Sequence, residues 1–326
     1  MTRALTPTWT IVILAALGGI GPFAIDTYLP GLPGIRSDLD ASQAAVQMTM
    51  SVYLLGVALV PIFTAPLSDT FGRKPVLVTG LVVFALVGLA CAVAPNVEVL
   101  IALRFFQASA GGTVMTLVRA ILSDLYRGDA LSRATSQMLL VFSIAPVVAP
   151  LVGGTLLEFG SWRWIFIFLS AIGVLGYFAQ ARLEETLGVE QRPKLNFGRV
   201  VGGYGYAMSS GLGRSYLGQA FLSGLFFFAM LSAVPFIFID QLGFSEGQFA
   251  WVFAGISFAA FPANYVNTRT VMRVGYQRML QWAGIGLLIS GLVLGGLALR
   301  GLGGALAVFV PLLGVMAFFH LSIANT

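Results

Sequence analysis

The stretch Ser68-Asp69-Thr70-Phe71-Gly72-Arg73-Lys74-Pro75 is a short polar interval between two long apolar runs. Neither Met48–Pro66 nor Val76–Pro95 contains a charged side chain, and each run is close to the roughly 20 residues that a helix needs to cross a bilayer. Because backbone inside lipid has to form its own hydrogen bonds, the runs predict two spanning helices joined by a polar turn. Arg73 and Lys74 favour the cytoplasmic side for that turn.

The composition of the whole chain predicts the same class of protein. Hydrophobic residues make up 58% of the 326 residues and charged residues 10%, and the mean hydropathy is +0.91. A soluble protein of this length needs more polar surface, so we predict an all-α membrane protein. The pI near 9.6 does not indicate a nucleic-acid partner, because the basic residues are spread between apolar segments instead of forming one stripe.

The sequence lacks the motifs of an ATPase or of an intramembrane hydrolase. A phosphate-binding loop needs Gly-x-x-x-x-Gly-Lys before Ser or Thr, and Lys74 and Lys194 lie in no such sequence. His320 is the sole histidine, and no intramembrane-protease motif accompanies the apolar runs. Cys91 is the single cysteine, which excludes an intrachain disulfide and a cysteine metal site. We therefore predict no enzymatic activity, no cofactor and no metal, with an ion gradient as the energy source.

The apolar pattern predicts ten membrane spans, and the basic residues orient them. Fourteen of the 18 Lys and Arg residues fall on the face that holds the amino terminus, three fall on the other face, and Arg104 lies inside the fourth span. The amino terminus is therefore predicted to be cytoplasmic. The predicted spans are residues 9–30, 44–66, 76–94, 98–121, 134–157, 163–181, 214–239, 247–267, 279–299 and 304–323.

The longest polar interval divides six spans from four. We interpret residues 1–181 as an N-terminal six-helix bundle, 182–213 as a cytoplasmic linker, and 214–326 as a C-terminal bundle with four helices. The turn after the eighth span, with Arg273 and Gly275, weakly echoes the turn after the second span. Inverted or parallel repeats of this kind are common in secondary transporters.

Four motifs within residues 20–180 point to one family. They are Ile25-Asp26-Thr27-Tyr28-Leu29-Pro30-Gly31-Leu32-Pro33; Pro66-Leu67-Ser68-Asp69 with Gly72-Arg73-Lys74-Pro75; Arg104-Phe105-Phe106-Gln107 continuing to Arg119-Ala120-Ile121 and Asp124-Leu125-Tyr126; and Ala145-Pro146-Val147-Val148-Ala149-Pro150-Leu151-Val152-Gly153-Gly154. Together they resemble the major facilitator superfamily, specifically its bicyclomycin-resistance (Bcr/CflA) drug:proton antiporters. The last stretch resembles that family's antiporter motif.

The resemblance implies a major facilitator fold in a bacterial inner membrane. It implies export of a small amphipathic, drug-like substrate in exchange for protons by alternating access, and we expect a monomer in the lipid bilayer. A nutrient or metabolite carrier of the same fold, or a non-transporting remnant, stays open as an alternative.

The sequence also departs from the family pattern. Ala65 and Thr70 stand where the family usually has glycine and arginine, and Ala108 stands where glycine usually follows Gln107. The family usually has twelve spans, so we expect an incomplete C-terminal bundle, with the chain truncated after the tenth helix.

Asp26 and Arg104 are charged residues predicted to lie inside spans. Asp26 comes about four residues before the outer end of the first span, and Arg104 about six residues after the fourth begins at that face, which gives depths of about 6 and 9 Å. We expect a charge pair that protonation of Asp26 weakens, coupling proton uptake to a rearrangement of the bundle. Alternatively, Asp26 orders the Pro-Gly-rich turn that follows it and Arg104 binds neighbouring carbonyls.

A second set of charged residues lies on the predicted cytoplasmic side. We expect several weak pairs to act together there as a latch for the inward-closed state, and the alternative is a set of solvated charges that only fix topology. Gly72 would allow a positive φ or a close helix approach. The latch set is Asp69, Gly72, Arg73, Lys74, Arg119, Asp124 and Arg133.

The fifth span carries small residues every four positions, at Ala145, Ala149 and Gly153. The pattern predicts a face that approaches another backbone closely, while two prolines bend the helix. We expect a kinked gating helix, with plain tight packing as the second interpretation. The residues of this antiporter-motif helix are Pro146, Pro150, Gly153 and Gly154.

Candidate substrate contacts are aromatic, methionine and amide side chains inside predicted spans. Aromatics and methionines adapt to apolar ligands and amides orient them, although most aromatic stripes simply pack or face lipid. His320 is expected to make a local hydrogen bond more readily than to carry protons. The predicted cavity residues are Gln47, Tyr53, Gln107, Met115, Gln137, Met138, Phe226, Phe227, Met230 and Phe236.

Overall fold

A computed structural model describes residues 7–195, 208–299 and 304–325, together with residues 198, 202 and 205. Helices dominate, and the described part of the chain contains no β-strand. The chain divides into two compact units, Met1–Gly202 and Gly203–Thr326.

The first unit contains eight α-helices and two short 3-10 turns, Leu29–Gly31 and Val189–Gln191, among the described residues. The helices are α1 Pro7–Gly18, α2 Ile20–Asp26, α3 Leu32–Asp38, α4 Gln43–Phe71, α5 Arg73–Ala92, α6 Val97–Leu125, α7 Gly128–Leu157 and α8 Arg163–Gln180. Helix α6 packs against α4 and α5, and α5 packs against α8. Helices α1 and α2, which form the first span, pack against α7, the helix that contains Pro146 and Pro150.

Local sequence explains where these helices begin. Ser42 caps α4 by accepting a hydrogen bond from the Ala45 amide at 3.1 Å, and Asn96 caps α6 through the Val99 amide at 2.9 Å. Ser and Asn side chains satisfy amides that the first turn of a helix leaves without partners. The long helices therefore begin at defined positions.

Helices α4 and α5 are separated by one residue. Gly72 has φ of +105°, a backbone conformation that glycine adopts without the penalty a Cβ would bring. Its amide still donates to the Ser68 carbonyl at 3.0 Å. The turn reverses the chain without a loop and brings Asp69 and Arg73 to the same end of the helix pair.

The second unit has five described helices. They are α9 Gly211–Pro235, α10 Glu246–Phe258, α11 Ala260–Val274, α12 Tyr276–Leu299 and α13 Gly304–Ile323. A π-helical turn, Phe236–Gln241, extends α9. Ser245 and Gln248 form a capping box at the start of α10.

Helices α11 and α12 are separated by Gly275, with φ of +83°. The single-glycine break after α4 therefore recurs in the second unit, where the sequence indicated a faint repeat.

The all-α membrane architecture is confirmed. Eight helical segments of the described chain are long and apolar enough to cross a membrane, and a pair bent by 42°, Trp9–Gly18 with Ile20–Asp38, adds a ninth. Helix α7 is 30 residues long and includes the apolar stretch Ile144–Leu157, at the place of the predicted fifth span. Part of the predicted linker lies outside the described residues, as do Arg3, Arg199 and Arg300 of the charge count.

Candidate functional site

The interior of the first unit holds a fully buried arginine between aromatic rings. The guanidinium carbon of Arg104, on α6, lies 4.3 Å from the centre of the Tyr28 ring, 4.0 Å from that of Tyr53 and 5.7 Å from that of Phe166. Its Nη1 donates to Oε1 of Gln107 at 2.8 Å, one helical turn further along. We call these four partners of Arg104 the aromatic slot.

Hydrogen bonds fix the two tyrosine rings of the slot. The hydroxyl groups of Tyr28 and Thr49 are hydrogen-bonded at 2.9 Å, and the hydroxyl of Tyr53 donates to the carbonyl of Gly21 at 3.1 Å. The rings are therefore held by α2, α4 and the turn between α2 and α3. The guanidinium enters a slot that is rigid on two sides.

One edge of the guanidinium has no hydrogen-bond partner. The Nε and Nη2 atoms of Arg104 and Nε2 of Gln107 are buried without such a partner among the residues that the structure describes. Cation–π contacts contribute about 1–2 kcal/mol each when desolvated, whereas an uncompensated buried charge costs several kcal/mol. Nε and Nη2 form the fork with which arginine binds a carboxylate at two points. The slot is therefore electrostatically complete only with an acceptor on that edge.

Asp26 lies at the end of α2 and is buried to 9% exposure. Tyr53 contacts Arg104 and also donates to the carbonyl of Gly21, on the same helix as Asp26. No ion pair joins Asp26 and Arg104 within the described ranges, so their pairing stays a prediction. The sequence analysis did not identify Tyr28 as a site residue, although it follows Asp26 by only two positions.

The turn at Gly72 gathers a second charged cluster at one end of the unit. Arg73 bonds to Asp69 through Nη1 and to Oδ2 of Asp124 through Nε at 3.1 Å. Nη1 also donates to the Ser68 hydroxyl at 2.7 Å. The Arg73 side chain is 13% exposed, against 42% for Asp69 and 22% for Asp124. One half-buried arginine therefore joins the end of α4 to that of α6.

The other predicted latch residues divide into two groups. Lys74 donates through Nζ to the Leu183 carbonyl at 2.7 Å, just beyond α8. Arg119 and Arg133 are exposed and make no ion pair among the described side chains. The role of those two arginines in a latch stays a prediction, and the structure brings together only the residues nearest the turn.

The cluster also contains side chains that the sequence did not indicate. Glu185, Thr186 and Arg192 follow α8 and fold back onto the Gly72 turn. They lie in the interval interpreted as a linker on polarity alone. Their partners are more than 60 residues away in the chain, and no spacing rule in a single sequence connects such distant residues.

Helix α7 carries the antiporter-motif residues and packs tightly on the first span. A Cβ added at Gly153 would collide with the backbone carbonyl of Thr27, so only glycine fits there. Pro146 and Pro150 lie inside the helix, which continues past them to Leu157. The close approach predicted for this face is present beside the Asp26 end of α2, and Gly154 is buried on the same helix.

The predicted cavity residues have several different environments. In the first unit, Gln47 and Met115 are half-buried, Gln137 is exposed and Met138 is buried, while Tyr53 and Gln107 belong to the aromatic slot. In the second unit, Met230 and Phe236 are buried, and Phe227 stacks on Phe319 with ring centres 3.8 Å apart. Contact with substrate stays a prediction for all of them.

Two observations concern the second unit alone. Phe226 lines a groove of about 460 Å³ between α9 and α12, together with Gln219 and Ser223. His320 lies 3.0 Å through Nδ1 from the carbonyl of Met316. That is the local hydrogen bond expected from its position in the sequence.

Comparisons with known proteins identify relatives over nearly the whole chain. The family profile described as Major Facilitator Superfamily matches residues 5–326. A bicyclomycin resistance protein homolog from Haemophilus influenzae is 33% identical over 316 residues, which is 95% of this chain and 77% of that protein. Multidrug resistance protein MdtL from Salmonella typhimurium is 29% identical over 307 residues, 89% of this chain and 73% of that protein.

A solved structure shares the fold. It is an inward-facing, unoccupied bacterial homolog of the human lysosomal transporter Spinster, with a TM-score of 0.76 at 16% identity over 99% of this chain and 76% of that one.

Proposed function

Because the chain belongs to the major facilitator superfamily, we propose that it exports small amphipathic, drug-like compounds in exchange for protons by alternating access. The protein is a multi-pass membrane transporter and not an enzyme. The names of the bicyclomycin-resistance and multidrug-resistance relatives support a drug-like substrate.

The proposal includes a location and an orientation. The transporter acts as a monomer in a bacterial inner membrane, with its amino terminus in the cytoplasm and no nucleic-acid partner. The excess of Lys and Arg on one set of connections supports that orientation. Residues 1–181 and 214–326 serve as the two bundles, joined by 182–213 on the cytoplasmic side.

The observation that carries the proton-coupling proposal is the free edge of Arg104. Two tyrosine rings lie against the guanidinium and Nη1 is bound to Gln107, while Nε and Nη2 have no hydrogen-bond acceptor within the described part of the chain. A carboxylate fits that fork in charge and shape. Asp26 is a buried carboxyl on α2, the helix whose Gly21 carbonyl accepts the hydrogen bond of Tyr53. In one state of the cycle, ionised Asp26 binds the fork of Arg104.

Proton uptake then changes the balance between the two states. Protonation of Asp26 removes its negative charge, so the attraction to Arg104 falls and the first span is released from α6. Deprotonation on the opposite side restores the pair. Because Asp26 ends α2, the helix that follows the bend after Gly18, its attachment and release act on the part of the first span beyond that bend. Proton binding and release at Asp26 are thereby coupled to the rearrangement of the bundle.

The cluster around Arg73 serves as the cytoplasmic latch of this cycle. Asp69 and Asp124 hold the arginine from two helices, and closure of the inward-facing state depends on several such weak contacts acting together. Helix α7 supplies the gating element, because Gly153 lets it lie against Thr27 next to Asp26.

Replacing Asp26 by Asn tests the proposal. Asp26→Asn keeps the size of the side chain but cannot bind and release a proton at neutral pH, so uncoupler-sensitive drug efflux should fall to the level of cells without the transporter. Asp40→Asn is the matched control, since Asp40 is exposed and has φ of +45°, which asparagine tolerates. Equal efflux by both variants would reject the coupling role. Lower drug accumulation in cells treated with the uncoupler would instead indicate import.

A further inference from the structure

A segment that follows α8 is folded onto the Gly72 turn. The Glu185 carboxylate accepts hydrogen bonds from the amides of Arg73 at 3.0 Å and Lys74 at 3.1 Å. These are the first two residues of α5, where amides lack partners within the helix and a negative charge is favourable. Glu185 Oε1 also accepts from the amides of Thr186 and Leu187. One carboxylate therefore caps α5 and orders its own loop. We call residues 183–193 the docking segment.

The docking segment also contacts the charged cluster directly. The Thr186 hydroxyl donates to Oδ2 of Asp124 at 3.0 Å, the same oxygen that binds Nε of Arg73. Arg192 donates through Nη1 to the Phe71 carbonyl at 3.0 Å, and its Nη2 is 3.6 Å from Oε2 of Glu185. The segment therefore reaches the last residue of α4, the first residues of α5 and the end of α6.

The shape of the turn matches this segment. A Cβ added at Gly72 would collide with Oε2 of Glu185 and would lie 2.8 Å from Nη2 of Arg192. The absence of a side chain at position 72 therefore makes room for a second segment as well as allowing the backbone reversal. The carboxylate of Glu185 lies directly over the turn.

We propose that Glu185 is a positioning residue whose carboxylate acts as a detachable cap for α5. While the cap is seated, the docking segment holds Arg73 between Asp69 and Asp124. When it leaves, the α5 amides and Asp124 lose partners in one step, and the chain that leads to the second unit is released from the turn. The inference rests on the proposed transport function and assigns regulation of its cytoplasmic latch to the docking segment.

Thiol labelling of the docking segment tests the cap. Leu183 is buried at 6% exposure, so a thiol from Leu183→Cys, in a chain with Cys91→Ala, reports whether the segment is seated. Removing a helix cap costs about 1 kcal/mol, which is about a fivefold change in an equilibrium. Glu185→Ala should therefore raise the alkylation rate at position 183 at least about fivefold and lower drug export by a comparable factor. Glu185→Gln keeps one acceptor oxygen and should fall between.

Two controls separate release of the segment from general unfolding. Glu184→Ala removes the adjacent carboxylate, which is exposed and makes no hydrogen bond or ion pair that the described structure contains. It should leave both rates unchanged. Native Cys91 is fully buried in α5, and it should stay unreactive when Glu185→Ala is introduced alone. Equal labelling of position 183 with Glu185→Ala and Glu184→Ala would overturn the proposal. So would a parallel rise at Cys91, which would show plain destabilisation. Labelling does not require export, so a failure of the transport proposal remains distinguishable.

Discussion

The turns at Gly72 and Gly275 reverse the chain in the same way but have different surroundings. Both glycines have positive φ and separate two long helices. A Cβ at Gly72 would meet Glu185 and Arg192, whereas a Cβ at Gly275 would meet nothing within 4 Å in the described part of its unit. The positive φ lets the chain reverse direction between the two helices of either pair. The Gly72 turn also contacts the docking segment, which brings charged side chains to it.

The comparison shows that a basic residue near such a turn forms ion pairs only when other segments supply the acceptors. Arg73 follows a glycine and binds two carboxylates on two helices, while Arg273 precedes a glycine and is exposed without an ion pair among the described residues. A basic residue beside a tight turn fixes topology in either case. It becomes part of a junction only where a neighbouring helix end and a returning segment bring acceptors to it.

The largest expected effect is that of Gly72→Ala, with Gly275→Ala as its comparison. Left-handed backbone costs a residue with a Cβ about 1–2 kcal/mol at either position. At position 72 the Cβ also displaces Glu185, and loss of that cap adds about 1 kcal/mol. Gly72→Ala should therefore lower the free energy of unfolding by about 2–3 kcal/mol. Thermal unfolding in detergent measures the difference, and equal midpoints for the two variants would contradict it.

A smaller effect is expected for Arg73→Ala, with Arg273→Ala as its comparison. Removal of Arg73 leaves Asp69 and Asp124 facing each other without their shared donor, which should cost about 1.5–2 kcal/mol. Removal of the exposed Arg273 should stay within about 0.5 kcal/mol. Thermal unfolding in detergent measures the loss of stability for both variants, and a larger loss for Arg273→Ala than for Arg73→Ala would contradict the expected difference between the two turns.

Within the cluster itself, Asp124→Asn should cost more than Asp69→Asn. Asp124 is less exposed and accepts from both Arg73 and Thr186, whereas Asp69 is 42% exposed and binds only Arg73 in the described chain. We expect about 1 kcal/mol for Asp124 and about 0.5 kcal/mol or less for Asp69. Repeating the measurement in 1 M salt should reduce the destabilisation by Asp69→Asn more than that by Asp124→Asn, because salt screens exposed charges more strongly. A larger destabilisation by Asp69→Asn than by Asp124→Asn would contradict the expected ranking.

The smallest expected effect concerns a threonine near each turn. The Thr70 hydroxyl lies 3.0 Å from the Pro66 carbonyl and 3.2 Å from that of Pro193, in the docking segment, while the Thr268 hydroxyl donates only locally, to Tyr265. Thr70→Val should therefore cost about 0.5 kcal/mol more than Thr268→Val. The two variants share the same change in helix propensity, so their difference isolates the docking contact. No difference beyond error would remove Thr70 from it.

Much of the fold follows from the sequence because lipid imposes strict rules on it. Runs without charge, such as Val76–Pro95, are long enough to span, and Gly72 between two of them indicates a tight turn. Arg73 contacts both Asp69 and Asp124, while the action of these residues as a latch stays a prediction. These residues share one end of adjacent helices, so topology alone brings them near each other.

The rest of the site depends on side-chain packing that the sequence does not encode in any spacing. The pattern indicated that Arg104 needs a partner, but it did not indicate that aromatic rings would surround the guanidinium, and Tyr53 was interpreted as a substrate contact. Glu185 lies in a polar interval that is typical of a flexible tether. Its position beside Thr186, just after a span, is a signal only once the geometry of the Gly72 turn is known.

The length of α4 has a consequence for the membrane itself. Its 29 residues extend over about 43 Å at 1.5 Å per residue, while the hydrocarbon layer is about 30 Å thick. Ordinary tilt removes only a few ångströms of this excess, so about 10 Å of α4 extends beyond the hydrocarbon layer. A thicker bilayer would cover more of that length. If the covered part is the Phe71 end, the ion pairs beside it would lie in a less polar medium, and the acyl-chain length of reconstituted vesicles would change the rate of transport.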